Sequence, residues 1–173
     1  ALGPWVGTTL SGLARRHPLR VVVPVGHGSG GVLTRSDPDE GDGGAALPMI
    51  DYEDAFPADL DAAYRAEAGT FEDRGSAVMM ASTHAARQLF RMQSERPEAV
   101  AGAAHYLNVA QYWAWWLSGV AVSEYSAMGA LSQLWNVPRG RFSPIVVRHG
   151  WERLIPPFRP AWETLGPLRP GLR

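Results

Sequence analysis

The sequence predicts one α/β or α+β domain, because apolar segments typical of strands are mixed with amphipathic segments typical of helices. Residues 19–25 (LRVVVPV) form a β-branched apolar run, which is typical of a strand buried on both faces. A helix is predicted by apolar residues at positions i, i+4, i+7 and i+8, namely Val109, Trp113, Trp116 and Leu117. The chain has 173 residues, of which 46% are hydrophobic and 19% charged, which is enough for one core.

The first predicted elements surround a glycine-rich turn. Residues 5–16 have the pattern of a short amphipathic helix. The strand at residues 19–25 is expected to end or bulge at Pro24, because proline cannot donate to a strand ladder. The turn at residues 26–31 (GHGSGG) follows, and residues 32–33 then indicate a second short strand.

The later elements are mainly helical. Residues 57–67 predict a helix with Pro57 at its first position. The next helix is expected to begin at Ser82 or Thr83 as N-cap and to end before Pro97. Further along the chain, the pattern predicts a short helix from residue 97, a strand at 105–107, a helix at 109–118, an extended segment at 120–125 and a short helix at 142–149.

The helix at residues 109–118 is rich in tryptophan. Trp113 and Trp116 are predicted to lie in the core, whereas Trp115 is on another face and is expected to be partly exposed. Gly119 stands where a helix commonly ends in the left-handed conformation. This helix is the clearest element of the sequence.

The composition excludes several classes of function. The net charge is −1 and no basic stripe occurs, so neither nucleic acid nor a membrane surface is an expected partner. All 16 basic residues are arginine, which excludes a P-loop lysine, and the lack of cysteine excludes a thiolate nucleophile. No apolar run reaches the roughly 20 residues that a membrane helix needs, so a soluble protein is expected, and the lack of cysteine fits a cytoplasmic one. His84 and His105 lack a second ligand at helical spacing, and no metal site is expected.

The glycine-rich turn allows three interpretations. Its sequence matches the G-x-G-x-x-G pattern of dinucleotide-binding proteins, which would make the protein an oxidoreductase. That pattern needs a helix directly afterwards, and residues 32–44 are too short and too broken for one. The turn could instead be a tight hairpin in which glycine permits unusual backbone angles. In the third interpretation, the glycines let a polar ligand approach the backbone and His27.

Three blocks of sequence resemble the FGGY family of carbohydrate kinases. VVVPVGHGSGGVL is similar to the family segment in which a strand ends in a Gly-Gln-Met-His-Gly or Gly-His-Gly-Ala-Ala type turn on the floor of the sugar cleft. LNVAQYWAWWLSGVAVSEYSAMGALSQLWNV and RFSPIVVRHGWERLIPPFRPAWETLGPL resemble the two later blocks of the family pattern. The blocks occur in the family order between about Val22 and Leu168. The Gly-His-Gly form is most similar to the bacterial rhamnulokinase-like or fuculokinase-like members.

The resemblance implies a fold and a domain organisation. The fold is expected to be ribonuclease-H-like, of the actin and hexokinase superfamily, with a mixed sheet flanked by helices, here incomplete. Residues 1–155 correspond to a partial sugar-binding N-terminal domain. Residues 156–173 correspond to a proline-rich connector toward a second domain that this chain lacks. The apolar cleft face is then expected to make the chain aggregation-prone or dimeric.

The resemblance also implies a sugar site. His27, Gly28 and Ser29 would contact sugar hydroxyls in the turn, and Tyr125 would occupy the position of a substrate-contacting tyrosine. Glu124 would stand at the preceding family aspartate. From the residues alone, His27 could equally be a hydrogen-bonded loop histidine and Tyr125 a core aromatic, while the carboxylate of Glu124 fits a structural role.

The implied activity belongs to an intact parent protein. Such a kinase transfers the γ-phosphate of ATP, with Mg²⁺, to a hydroxyl of a ketose or polyol. The phosphate loop and the catalytic aspartate of the family lie outside this chain, so no catalytic residue is assigned and the chain alone is expected to be inactive. A dinucleotide-binding oxidoreductase and a non-catalytic sugar-binding or interaction remnant are the alternatives.

Overall fold

The computed structural model describes residues 2–26, 30–130 and 132–172. Two antiparallel pairs of short strands are surrounded by helices. The helices are α1 Leu2–Ala14, α2 Ala58–Glu67, α3 Phe71–Arg74, α4 Ala85–Glu95, α5 Pro97–Gly102, α6 Val109–Ser118, α7 Tyr125–Ala130 and α8 Pro144–Arg148, with 3₁₀ helices at Trp151–Leu154 and Pro170–Leu172. The strands are β1 Gly31–Thr34, β2 His105–Asn108, β3 Trp135–Asn136 and β4 Arg141–Phe142.

Sequence signals explain where several helices begin and end. Helix α3 begins with a capping box, in which Thr70 and Asp73 each accept a hydrogen bond from the backbone amide of the other. Helix α5 has proline at its first position, as predicted at Pro97. Helix α6 ends at Gly119, which has a φ of 78° and so confirms the predicted left-handed end.

Strands β1 and β2 form the sheet that crosses the core. They pair antiparallel, with Val32 opposite Leu107 and Leu33 opposite Tyr106. All four residues of β1 are buried. Strand β2 runs directly into helix α6, so the sheet fixes the position of the helix N-terminus.

Two apolar clusters stabilise the fold. The first lies between helices α2, α4, α5, α7 and α8 and the β1–β2 sheet, and its largest fully buried members are Leu33, Tyr64, Leu89, Tyr106, Met128, Leu134, Ile145, Trp151 and Leu154. The second is built on helix α6 and contains Leu107, Trp115, Trp116 and Leu117, with residues of α1 and the C-terminal segment packed against it.

The predicted buried strand at residues 19–25 is wrong for this structure. The segment has no regular secondary structure, and its valines are exposed, up to 90% at Val25. A β-branched run forms a strand only where neighbouring strands supply hydrogen bonds and cover its faces. The described residues supply no such neighbour for residues 19–25. The strands that do form make two separate two-stranded antiparallel sheets instead of the expected central mixed sheet.

The C-terminal segment folds back onto the domain. The backbone amides of Arg159 and Arg169 donate to the carbonyl oxygens of Ser123 and Leu117, both at 2.8 Å. Leu168 and Leu172 pack against the second apolar cluster. The proline-rich segment is irregular, but these contacts hold it against the domain. Among the described residues, no helix has the length and apolar character needed to span a membrane.

Candidate functional site

The two arms of the glycine-rich turn press against β2 and the start of α6. A Cβ atom on Gly31 would lie 2.3 Å from Cζ of Tyr106, and one on Gly26 would lie 2.9 Å from the backbone nitrogen of Ala110. Both distances are shorter than side chains allow, so glycine is needed at both positions. The closeness of the backbone to its neighbours thus explains the first and last glycines of the turn.

The helix required by a dinucleotide-binding pattern does not follow the turn. Gly31 begins strand β1, which pairs with β2. A pyrophosphate in such proteins is held by the N-terminus of the helix that directly follows the glycines. The structure therefore contradicts the dinucleotide-binding alternative.

The predicted sugar contacts at His27, Gly28 and Ser29 lie outside the described residues. The residues that flank them are described, and one of these, Gly30, adjoins two residues of a cavity wall. A Cβ atom on Gly30 would lie 3.4 Å from Sδ of Met49 and from Cγ2 of Val109, which are ordinary contact distances. The sugar contacts remain a prediction.

The cavity beside the turn has a volume of about 1180 Å³. Two residues near Gly30 line it. The amide of Val109 donates to the carbonyl oxygen of Gly30 at 3.2 Å, and Sδ of Met49 lies 3.4 Å from the place that a Cβ on Gly30 would occupy. Its remaining wall comes from helix α1, the loop before Met49, helix α6 and the C-terminal segment. Aromatic rings of α6, at Tyr112, Trp113 and Trp116, form much of the apolar part. An apolar cavity with a few placed polar groups is typical of small-molecule sites.

Polar groups of the cavity wall are held in place by short contacts. The Tyr112 hydroxyl donates to the carbonyl oxygen of Gly43 at 2.9 Å. Arg169 pairs with Asp39 and donates from Nε to the carbonyl oxygen of Trp116 at 2.6 Å. The hydrogen bond from Arg169 is the main cause that lowers the pKa of Asp39. The carboxyl group of Asp39 is therefore ionised near neutral pH.

A buried amide supports the turn from behind. The Oε1 atom of Gln88, on helix α4, accepts from the amide of Gly31 at 3.2 Å and from the hydroxyl of Tyr106 at 2.9 Å. Its Nε2 donates to the carbonyl oxygen of Ser82 at 2.8 Å. Burial raises the pKa of Tyr106, so its hydroxyl keeps the proton that it donates. Helix α4, strand β1 and strand β2 are thus joined at one side chain.

Tyr125 and Glu124 lie together at the start of helix α7. The ring of Tyr125 is half exposed and stacks on Phe158, with ring centroids 4.5 Å apart. The carboxylate of Glu124 accepts from the amides of Ser126 at 3.0 Å and Ala127 at 2.9 Å, so it caps the helix. Within the described part of the chain, neither residue lines the cavity beside the turn.

The pKa of Glu124 reflects its capping role. Partial burial raises this pKa, but the hydrogen bonds from Ser126 and from backbone amides outweigh that effect and lower it. The carboxylate is therefore held in its charged form, as a cap requires. The predicted sugar contacts of Tyr125 and Glu124 stay predictions.

Sequence reasoning missed Gln88 and Tyr106. The available signal was a glutamine next to Leu89 and Phe90 on the predicted helix that ends before Pro97. A polar side chain at such a position must find buried partners. Its partner Gly31 is 57 positions away in the sequence, so the pattern alone could not identify it.

The described residues show no cluster of metal-ligating side chains. Residues 2–26, 30–130 and 132–172 contain no group of three or more histidine, aspartate or glutamate side chains that could hold a metal ion. Phosphoryl transfer needs Mg²⁺ and a loop that surrounds the phosphates. No step of phosphoryl transfer is assigned to the described residues.

Comparison with solved structures found carbohydrate kinases. The chain is 37% identical to a carbohydrate kinase from Novosphingobium aromaticivorans, with a TM-score of 0.88 over 99% of this chain and 36% of that chain. A xylulose kinase from Rhodospirillum rubrum is 19% identical, with a TM-score of 0.63 over 83% of this chain and 29% of that chain. A structure described as a xyloylose kinase from Brucella ovis is 20% identical, with a TM-score of 0.62 over 94% of this chain and 34% of that chain.

These matches show that the chain covers only part of each matched structure. The chain spans about a third of the length of each of the three structures. The two matches near 20% identity show the fold alone. No family model matches the chain, and a search of curated proteins found no relative. The chain thus has the fold of part of a carbohydrate kinase.

Proposed function

We propose that the full-length protein containing this chain is an ATP-dependent kinase that phosphorylates a hydroxyl of a ketose or polyol. The observation that carries the proposal is the 37% identity to a carbohydrate kinase over 99% of this chain. The FGGY family, with a ribonuclease-H-like fold and a rhamnulokinase-like or fuculokinase-like subfamily, is the finer assignment that the three sequence blocks support.

In this proposal, the chain supplies the sugar-binding wall. Gly30 of the turn adjoins Val109, which lines an aromatic-lined cavity, and this arrangement is compatible with a turn on the floor of a sugar cleft. His27, Gly28 and Ser29 are the proposed contacts to sugar hydroxyls, and Tyr125 and Glu124 are proposed as further contacts. ATP and Mg²⁺ bind mainly to parts of the protein outside this chain. A cytoplasmic location is proposed because a kinase needs cytoplasmic ATP.

The proposal is tested with two proteins. The full-length protein and the 173-residue chain are each incubated with ATP, Mg²⁺ and a panel of ketoses and polyols that includes xylulose, and ADP release is measured. We expect sugar-dependent ADP release from the full-length protein and none from the chain. ADP release from the pure chain would overturn the claim that its catalytic groups lie elsewhere.

Calorimetric titration of the panel sugars into the full-length protein distinguishes the proposed kinase from the remaining alternative, a non-catalytic sugar-binding protein. A non-catalytic sugar-binding protein would bind a sugar without releasing ADP, and that result would replace the proposed kinase activity. If the full-length protein neither binds a panel sugar nor releases ADP in its presence, both the kinase function and the sugar-binding function are contradicted.

A further inference from the structure

The exposed apolar side chains of the domain are concentrated in residues 2–25, which we call the N-terminal surface. Among the described residues, seven of the sixteen exposed large hydrophobic side chains belong to it: Leu2, Trp5, Leu19, Val21, Val22, Val23 and Val25. The other nine are spread over the long stretch from Met49 to Trp162. Such a concentration of exposed apolar residues is typical of a surface that contacts another part of a protein.

Helix α1, the first part of this surface, contains no charged residue. Its residues Val6 and Leu10 pack against the second apolar cluster, whereas Leu2 and Trp5 are 66% and 64% exposed. A helix at the surface of a domain normally carries charged residues on its outer side, and a helix that is apolar on more than one side is normally buried. We therefore expect another surface to cover Leu2 and Trp5.

Residues 19–25, the second part of the surface, have an unpaired backbone as well as apolar side chains. No hydrogen bond joins a backbone group of this segment to any other residue that the structure describes. In a strand, successive side chains point to opposite faces, so the residues at odd positions would share one wholly apolar face: Leu19, Val21, Val23 and Val25. An unpaired backbone with an apolar face is the surface to which another strand is added.

Both ends of the described chain reach the N-terminal surface. A Cβ atom on Gly7 of α1 would lie 3.3 Å from Cδ2 of Leu172, in the last 3₁₀ helix. Chain attached at either end therefore starts beside this surface. The chain covers 36% of the carbohydrate kinase to which it is 37% identical, so most of a protein of that size lies outside it and is available to cover the surface.

We infer that the N-terminal surface is where the rest of the full-length protein packs against this domain, adding a β-strand to residues 19–25 and covering the outer side of α1. The charged residues of the surface are Arg15, Arg16 and Arg20, so the segment that packs there is expected to be apolar with carboxylates at its border. The inference does not depend on the proposed kinase activity.

Two measurements on the full-length wild-type protein test the inference without any substitution. We expect the amides of residues 21–23 to exchange hydrogen about a hundredfold more slowly than unpaired amides do, at a rate that is independent of protein concentration. Hydroxyl-radical footprinting compares two tryptophans that are both exposed in this structure. Trp5 should be oxidised severalfold more slowly than Trp162, which is 88% exposed and lies outside the N-terminal surface.

A pair of valine variants of the full-length protein adds a matched comparison. Val23 and Val147 are 67% and 58% exposed in this structure, and only Val23 belongs to the N-terminal surface. Val23→Lys should lower the Tm by several degrees, because a covering strand would bury its charge, whereas Val147→Lys should leave the Tm close to wild type. The measurements on the wild-type protein decide even where Val23→Lys does not fold.

The outcomes distinguish the inference from its alternatives. Unprotected amides at residues 21–23, equal oxidation of Trp5 and Trp162, or an equal Tm in the two lysine variants would each overturn it. Protection that increases with protein concentration would identify a second copy of the protein as the covering surface and would overturn it as well. None of these measurements uses sugar or ATP, so their result is separate from that of the test for kinase activity.

Discussion

The guanidinium of Arg87, which is almost fully buried, lies 2.7 Å from the carboxylate of Asp61. The guanidinium also sits over the ring of Phe56, 4.3 Å from its centroid, and donates to the carbonyl oxygen of Met79 at 3.2 Å. Arg65 forms a second ion pair with Asp61, at 2.7 Å. One carboxylate thus neutralises a buried arginine that joins α2, α4 and the segment before α4.

Replacing Asp61 should therefore destabilise the protein. We expect Asp61→Asn to lower the free energy of unfolding by about 2 kcal/mol at pH 7, because Arg87 stays buried without its counter-charge. The loss is smaller than for a fully buried pair, because water screens the partly exposed carboxylate of Asp61. Asp59→Asn, in the exposed first turn of the same helix, is the control and should change it by less than about 0.5 kcal/mol. Urea unfolding measures the free energy of unfolding of both variants. Equal losses in Asp61→Asn and Asp59→Asn would contradict the role of Asp61 as the counter-charge of Arg87.

The effect of Asp61 should depend on pH. The hydrogen bond with Arg65, opposed by burial and assisted by the charge of Arg87, lowers the pKa of Asp61 from 3.8. A lowered pKa means that the carboxylate adds stability above its unfolded-state pKa, and that this stability is lost as the pH falls through the folded-state value. The difference between wild type and Asp61→Asn should thus be complete at pH 7 and shrink below about pH 4.

A side chain at Gly31 should not be tolerated. Gly31→Ala would place Cβ 2.3 Å from the ring of Tyr106, so we expect a loss of about 2 kcal/mol in the free energy of unfolding from overpacking. Gly102→Ala is the control, since a Cβ there meets nothing within 4 Å. Thermal unfolding should show a large decrease in Tm for Gly31→Ala alone. A Tm equal to wild type in Gly31→Ala would show that Tyr106 can move away.

Glu124 should contribute to stability as a helix cap. Glu124→Ala removes the acceptor for the amides of Ser126 and Ala127, and we expect a loss of about 1 kcal/mol. Glu98→Ala, at an exposed position in α5, is the control and should have a smaller effect. Urea unfolding of both variants checks the cap. The KM for sugar of Glu124→Gln tests the proposed sugar contact separately, since glutamine keeps an acceptor for the amides.

The sequence predicted helices better than strands, for a physical reason. A helix satisfies its own backbone, so the 3.6-residue pattern and Gly119 were sufficient to predict α6. A strand needs a neighbour, and residues 19–25 have none among the described residues. Trp115 was expected to be partly exposed but is buried, because the loop at Gly44 packs against its ring. The pattern of one helix cannot identify a loop that covers its other face.

In the candidate site too, the sequence predicted features set by the local backbone but not contacts between residues distant in the chain. The glycines of residues 26–31 marked the turn because backbone conformation is a local property. The cavity is lined by residues from distant parts of the chain, such as Met49 and Val109, which the tertiary structure brings close to Gly30. Side-chain contacts such as that of Gln88 depend on the tertiary structure in the same way.

The exposed valines should make the 173-residue chain self-associate. Val23 is 67% and Val25 is 90% exposed, on a segment with no strand partner among the described residues. Contiguous exposed apolar residues favour association in water. Light scattering should show the apparent mass rising with concentration, and the double variant Val23→Lys/Val25→Lys should reduce that rise. Val147→Lys, at another exposed valine, should not. A monomer at high concentration in wild type would contradict the prediction.

His27 should determine the affinity for sugar. In the full-length protein, we expect His27→Ala to raise the KM for sugar about tenfold and the KM for ATP less than about twofold, because a lost hydrogen bond to the sugar leaves its hydroxyl unpaired. His17→Ala is the matched control, because His17 is an exposed histidine beyond the end of α1. Steady-state kinetics with both substrates varied gives the two constants. Equal changes in both constants in His27→Ala would place His27 outside the sugar site, and the assignment of the turn as a sugar contact would then be wrong.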